Sequence, residues 1–203
     1  ELFPGSKWKT KTPDQSISGT FYGNNDDIAA EFDYLKEIIL DAGYHRYETS
    51  NFCRQWVSSI HNRVYREMEN YLGFGISASS FIVLEKEPLE DSWFIIPKET
   101  KAIRFTNTSN FAEYMKWNTV DPDKTEFLSE KDFLIESFFL AIRTDTGVTQ
   151  LEKYIPLLVP NYKEIIESYK DEGLLYDIED RLLLTDKGMD VANTIITDLL
   201  KEV

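Results

Sequence analysis

The sequence predicts an α+β protein in two parts: a mixed strand-and-helix region over residues 1–122, then a helical, winged-helix-like domain over 123–203. Three observations point there. Apolar residues alternate between helical and strand spacing up to about residue 117. Turn residues gather at 119–126 as they do in linkers. The last 78 residues then run three helices, a hairpin and a closing helix.

Residues 1–24 are rich in Gly, Ser, Thr, Pro and Lys and lack periodicity, so they read as an extended connector ending in the turn-prone GNNDD. From Ile28 through Phe32, Leu35, Ile38, Ile39 and Ala42 the apolar spacing predicts a helix over 27–42, with Asn25 or Asp26 as N-cap and Gly43 closing it. YHRYETSNF alternates aromatic and polar residues and predicts a strand. Residues 54–70 return to helical spacing, with Trp56, Ile60, Val64 and Met68 on one stripe and Val57, His61 and Tyr65 on the next. His61 and Tyr65 therefore face the same way. YLGFGISASS spaces its glycines where a backbone passes close to another element before the strand FIVLE. SWFIIP and KAIRFTN predict two more strands, with Pro97 at an end or edge, and NFAEYMKW a short helix over 110–117.

NTVDPDKTEFLSE has the turn residues and low apolar content of a linker, which places a boundary near 119–126. Beyond it, Ser129 and Asp132 form a capping box ahead of an apolar helix bearing Phe133, Ile135, Phe138, Phe139 and Ile142. A shorter helix over 149–155 is expected to stop before Pro156. Tyr162, Ile165, Ile166 and Tyr169 predict an amphipathic helix closed by Gly173. LLYDIEDRLLLT predicts a hairpin turning at Glu179 and Asp180, and Thr185 caps a last helix through Leu200.

Composition narrows the function. The 203 residues are 42% hydrophobic and 14% aromatic, enough for a buried core. Lys and Arg total 22 against 36 Asp and Glu, a net charge of −14 that repels phosphate backbones and anionic lipid. Residues 126–203 hold 8 basic and 17 acidic side chains; the helix that would meet DNA sets Glu164, Glu167, Asp171 and Glu172 against Lys163 and Lys170, and the wing sets Asp177, Glu179 and Asp180 against Arg181. A packing or protein-contact role fits that domain better than nucleic-acid binding. One cysteine excludes an intramolecular disulfide, and no apolar stretch is long enough to span a bilayer, so a cytoplasmic setting is expected. ELFPGSKWKT begins without methionine and lacks a signal-peptide pattern, so the chain is expected to be a piece of a longer protein.

The chemistry-bearing candidates are Cys53, His45 and His61. A catalytic Cys53–His61 pair needs side-chain approach that a spacing of eight residues does not supply. Free cysteines are usually buried and inert, so Cys53 reads as a small structural residue. His45, beside Arg46 and Glu48 on the strand, reads as a surface or edge residue. One cysteine and two histidines make no zinc spacing. His61, with Asn62 after it and Tyr65 one turn on, reads either as an imidazole presented to heme iron or as a hydrogen-bonded structural histidine.

In order along the chain, AGYHRYETSNF, HNRVY, YLGFGISASS, ESFFLAIRTDTGV, EGLL and RLLLTDKGMDVAN resemble the latter half of the oxygen-independent coproporphyrinogen III oxidase-like proteins. These are a radical S-adenosylmethionine family that includes heme chaperones. The resemblance implies a partial barrel N-terminal to this chain, holding a 4Fe-4S cluster through three cysteines with S-adenosylmethionine beside it. The chain is then the C-terminal fragment, an accessory region after the barrel followed by the helical domain, with the missing barrel as its partner. The heme-handling branch is similar at His61, Asn62 and Tyr65, which marks them as heme or porphyrin contacts. Arg66 stands where that branch has Trp, and Ile76, Ser77 and Ser79 replace its Pro, Gly and His. The resemblance implies a parent acting in porphyrin or heme metabolism, by oxidative decarboxylation or heme handling, with no turnover by the fragment itself. The alternative is a heme carrier or protein-interaction module.

Overall fold

The computed structural model describes residues 25–55, 57–84, 96–116 and 119–201. The chain divides between His45 and Arg46 into two units, and the division falls inside the first strand.

In the first unit, helix α1 (Asn25–Asp41) forms where the apolar spacing predicted it. It starts at Asn25, so Asn25 and Asp26 lie in its first turn rather than at the cap. Gly43 ends it at φ +81, a conformation that L side chains avoid. The connector expected over 1–24 lies outside the described residues.

The second unit opens with a fold-back. β1 (Tyr44–Glu48) and β2 (Asn51–Arg54) form a two-stranded sheet around Thr49 and Ser50, so the single strand expected here is a hairpin. The long helix expected over 54–70 is only α2 (Ile60–Arg66). Gln55 and Met68 both take φ +55, which no helix accommodates, and Ser59 caps the short segment by accepting the Asn62 amide at 3.3 Å. Met68 is buried, but on the turn beyond the helix; Val57 is 75% exposed, and Trp56 lies outside the described residues.

β3 (Ser79–Val83), β4 (Thr100–Asn107) and β5 (Val120–Ser129) make an antiparallel sheet in that order. FIVLE and KAIRFTN thus supply strands as predicted, while most of SWFIIP lies outside the described residues. Gly73 passes so close to the sheet that a Cβ there would sit 2.3 Å from the Ser79 carbonyl oxygen. The linker expected at 119–126 is instead the start of β5, paired with β4. β5 is an outer strand of this sheet with half of its residues solvent-exposed, so it tolerates Pro122 and carries charge like a loop. α3 (Phe111–Tyr114) is a single turn capped by Asn110.

α4 (Glu130–Ala141) starts on the predicted capping box, with Ser129 and Asp132 satisfying each other's backbone amides. β6 (Val148–Thr149) leads into a 3-10 helix, Leu151–Leu157, which keeps Pro156 inside instead of stopping before it. A proline in the last turn of so short a helix forfeits only one donor. α5 (Tyr162–Asp171) ends at Gly173, φ +71, and the hairpin β7 (Leu175–Ile178) and β8 (Arg181–Leu184) turns at Glu179 and Asp180 as expected. β6, β8 and β7 form one sheet in that order. The expected last helix is two: α6 (Asp186–Asp190), capped by Thr185, and α7 (Ala192–Leu199), separated where Val191 leaves helical geometry.

Among the described residues, two apolar clusters hold this unit together. Met68, Phe81, Ala102 and Leu128 form one under the β3–β4–β5 sheet, with Phe133 and Leu140 of α4 against it. Phe138, Ile142, Val148, Leu158, Ile166, Leu182, Ile195 and Leu199 lead the other. α4 serves both, which is why it is apolar almost all round.

Candidate functional site

The β1–β2 hairpin and the loop after α4 brace α2. Thr49 donates its amide to Arg143 O at 3.1 Å, and Asp145 donates to Tyr47 O at 2.9 Å. Arg63 of α2 reaches the same loop, pairing with Asp145 at 2.8 Å and donating to Thr146 Oγ1 at 2.7 Å. Its guanidinium also stands over the Tyr47 ring at 5.5 Å. Arg66 donates Nε to Glu48 at 2.7 Å; that carboxylate side chain is 1% exposed. Asn51 donates to Glu48 as well. α2 is therefore fixed by two arginines although none of its residues is buried.

His61 is exposed on α2, and its ring meets Tyr65 edge-on with centroids 4.7 Å apart, so the two do face the same way. Tyr65 lies 4.4 Å from Tyr71, and Tyr71 stacks on Phe81 at 6.0 Å. The last contact follows from backbone pairing, since Tyr71 and Phe81 exchange both amide hydrogen bonds at 2.9 Å. Four rings thus run from an exposed imidazole to a phenyl group that is 2% exposed.

Three of these rings border an open cavity of about 500 Å³, whose lining adds Arg66, Arg104, Glu136 and Phe139. That volume suits a ligand of drug or cofactor size. Arg104 donates to Glu136 and to Glu126, at 2.9 Å for the latter, and lies over Phe81 at 5.4 Å. The hydrogen bond to Glu136, ahead of the opposing cost of burial, raises its pKa further. Burial pushes the Tyr71 phenol up, so it stays protonated at neutral pH. An aromatic wall with guanidinium and carboxylate groups at its edge suits a flat ligand that carries both apolar surface and charge.

The three predicted contact residues divide their roles. Tyr65 lines the cavity, His61 stands next to it, and Asn62 turns its amide to the Tyr47 hydroxyl at 3.0 Å. Arg66, noted only as a departure from the family pattern, turns out to line the cavity too. Tyr71, Phe81, Arg104, Glu136 and Phe139 were not singled out from sequence, because strand pairing and the docking of α4 are what bring them together. Cys53 is buried on β2, as expected of a structural cysteine. Burial first, and then Asp145, raise its thiol pKa against the pull of Arg63, opposite to the shift a nucleophile requires.

No protein-family model matches the chain. Its fold is nevertheless matched over 93% of its length by coproporphyrinogen III oxidase (HemN) from Escherichia coli, a radical SAM enzyme, at a TM-score of 0.58 and 12% identity. That likeness shows a shared mixed α/β fold and covers 44% of the solved chain. Curated relatives agree. Heme chaperone HemW of Lactococcus lactis subsp. lactis is 27% identical over 182 residues, 87% of this chain, and HemW of Bacillus subtilis is 24% identical over 83%. The mouse radical S-adenosyl methionine domain-containing protein 1, mitochondrial, is 25% identical over 93%. The chain thus resembles the C-terminal part of the oxygen-independent coproporphyrinogen III oxidase-like proteins, and it spans about 43% of the length of these relatives. Among the described residues no helix is long and apolar enough to cross a membrane.

Proposed function

We propose that the chain is the tetrapyrrole-contacting part of a larger radical SAM protein in porphyrin or heme metabolism. The observation that carries this reading is the run of rings from His61 through Tyr65 to the cavity, in a chain whose relatives include heme chaperones. Tyr65 and Tyr71, the latter backed by Phe81, offer aromatic surface to a porphyrin plane, and exposed His61 offers an imidazole to heme iron. Asn62, hydrogen-bonded to Tyr47, orients α2 and does not itself face the ligand. Residues before 122 supply most of the cavity wall, and α4 of the following domain supplies Glu136 and Phe139.

In such a parent the 4Fe-4S cluster and S-adenosylmethionine supply the radical chemistry. A cluster takes several thiolates, and this chain has one buried cysteine, so its residues do not hold the cluster. Their part is to bind and orient the ligand and to keep water from one of its faces. The helical domain reads as winged-helix-like on its order of α4, α5, the β7–β8 hairpin and α6–α7, and its acidic surface suits a contact with protein rather than with DNA.

Heme titration of the 203-residue chain and of His61→Ala and Tyr65→Ala tests the reading. Wild type should give a Soret band shifted from that of free heme, altered in position by His61→Ala and weakened in affinity by Tyr65→Ala. A spectrum of free heme in all three overturns it. The isolated chain should also release no carbon dioxide from coproporphyrinogen III.

A further inference from the structure

The charged side chains that line the cavity are Arg66, Arg104 and Glu136. Two of them satisfy each other. Arg104 donates Nη1 and Nη2 to the two oxygens of Glu136, at 3.3 and 2.5 Å, and Nη1 also reaches Glu126 at 2.9 Å. That guanidinium holds two carboxylates at once, whereas Arg66 holds one. Arg66 donates Nε to Glu48 Oε2 at 2.7 Å and Nη2 to Glu48 Oε1 at 3.4 Å, the side-on pairing of a guanidinium with a carboxylate. Among the described residues its Nη1 has no acceptor.

Glu48 fixes that third nitrogen in place. Its carboxylate is 1% exposed and also accepts from Asn51, so it is a stationary anchor. A guanidinium held on it by two nitrogens gives up its rotamer freedom before any ligand arrives, which lowers the ordering cost of a further contact. The Arg66 side chain keeps 29% of its surface exposed and is reachable from the cavity that it lines. Tyr65 precedes it on α2 and stands 4.4 Å from Tyr71, so aromatic surface and guanidinium border one opening. Nη1 carries two N–H donors and requires an acceptor. A carboxylate serves better than a neutral oxygen, because a bond with both partners charged is the stronger one. Arg104 shows within the same cavity that a guanidinium takes a second carboxylate.

We propose that Arg66 is the specificity-determining residue of the cavity: anchored on Glu48, it gives Nη1 to a carboxylate at the edge of a flat aromatic ligand lying against Tyr65 and Tyr71. This rests on the reading of the cavity as a site for a flat ligand and names the group by which that ligand is selected, an aromatic acid. The competing role is internal: Arg66 balances the buried Glu48 and does nothing else.

Two pairs of probes separate these roles on the full 203-residue chain. Calorimetry compares 2-naphthoate with 2-naphthamide, and absorbance compares protoporphyrin IX with its dimethyl ester. Wild type should prefer each acid over its neutral partner by about tenfold, the scale of one charge-assisted hydrogen bond. The double variant Glu48→Met with Arg66→Met removes the donor without stranding a buried charge; it should lose the preference and bind the neutral probes within about twofold of wild type. Should it not fold, Arg66→Lys keeps a positive charge opposite Glu48 but has no fork to share, and it should lose most of the preference. Equal binding of acid and neutral probe by wild type overturns the proposal. So does full preference in either variant, or failure of wild type to bind any probe. If both porphyrins bind wild type equally, the choice by Arg66 falls and the tetrapyrrole reading stands. If naphthoate is preferred through Arg66 but neither porphyrin binds, the tetrapyrrole reading falls and the role of Arg66 stands.

Discussion

Glu48 sets the tolerance of the site to change. Its carboxylate is 1% exposed and is held by Arg66 and Asn51, so removing Arg66 leaves a buried charge with a single amide donor. Arg66→Ala is expected to destabilise the chain by about 3–5 kcal/mol, the cost of breaking a buried pair on one side. Urea unfolding measures it. Arg66→Trp, the residue seen in the heme-handling branch that this chain resembles, should be equally costly by itself. Pairing it with Glu48→Met should recover much of the loss, because the double variant has no stranded charge. Equal and additive losses in the two single variants and the double would show that the pair is not coupled. The departure at Arg66 thus has a local physical partner that no reading of spacing could name.

Helix α4 depends on its first turn. Ser129 and Asp132 close the capping box, with Ser129 Oγ accepting the Asp132 amide at 3.2 Å and Asp132 accepting the Ser129 amide at 3.1 Å. The side-chain hydrogen bond from Ser129, then its backbone amide, hold the Asp132 carboxyl below its usual range. A depressed carboxylate stabilises the fold above its unfolded pKa of about 3.9 and loses that contribution as pH falls through the lower folded value. Ser129→Ala should cost about 1 kcal/mol at pH 7. The gap between wild type and Asp132→Asn should narrow as pH drops below about 4. Urea midpoints across pH 2.5–7 read both; a gap that stays constant to pH 2.5 would falsify the assignment. α4 was legible because its signals are local: a cap, a helical period and a following turn. α2 was overextended because apolar residues at helical spacing continue past both of its ends, where Gln55 and Met68 take a left-handed backbone that the spacing does not reveal.

α4 also joins the two apolar clusters found among the described residues of the second unit. Phe133 and Leu140 pack with the β3–β4–β5 sheet, while Phe138 and Ile142, both 0% exposed, belong to the helical core. A helix shared in this way couples the two. Phe138→Ala should cost about 3–5 kcal/mol, and the loss should appear equally by far-ultraviolet circular dichroism and by fluorescence of an exposed-cysteine reagent at Cys53. A helical core that melts early while Cys53 stays protected would show that the β1–β2 hairpin unfolds separately from that core.

Sequence by itself determined the parts whose causes are local. α1 with Gly43, the Ser129 cap, α5 with Gly173 and the turn at Glu179 all follow from side-chain period and backbone preference within a few residues. So did the placing of His61 beside Tyr65, which needs only one helical turn. Tertiary structure decided the rest. β5 resembles a linker because an outer strand buries little, and only its pairing with β4 reveals it. The cavity joins Tyr65, Tyr71, Phe81, Arg104, Glu136 and Phe139 across more than seventy residues of chain. Hydrogen-bond register and the docking of α4 bring those groups within reach of one another, and neither leaves a periodic mark in the order of residues.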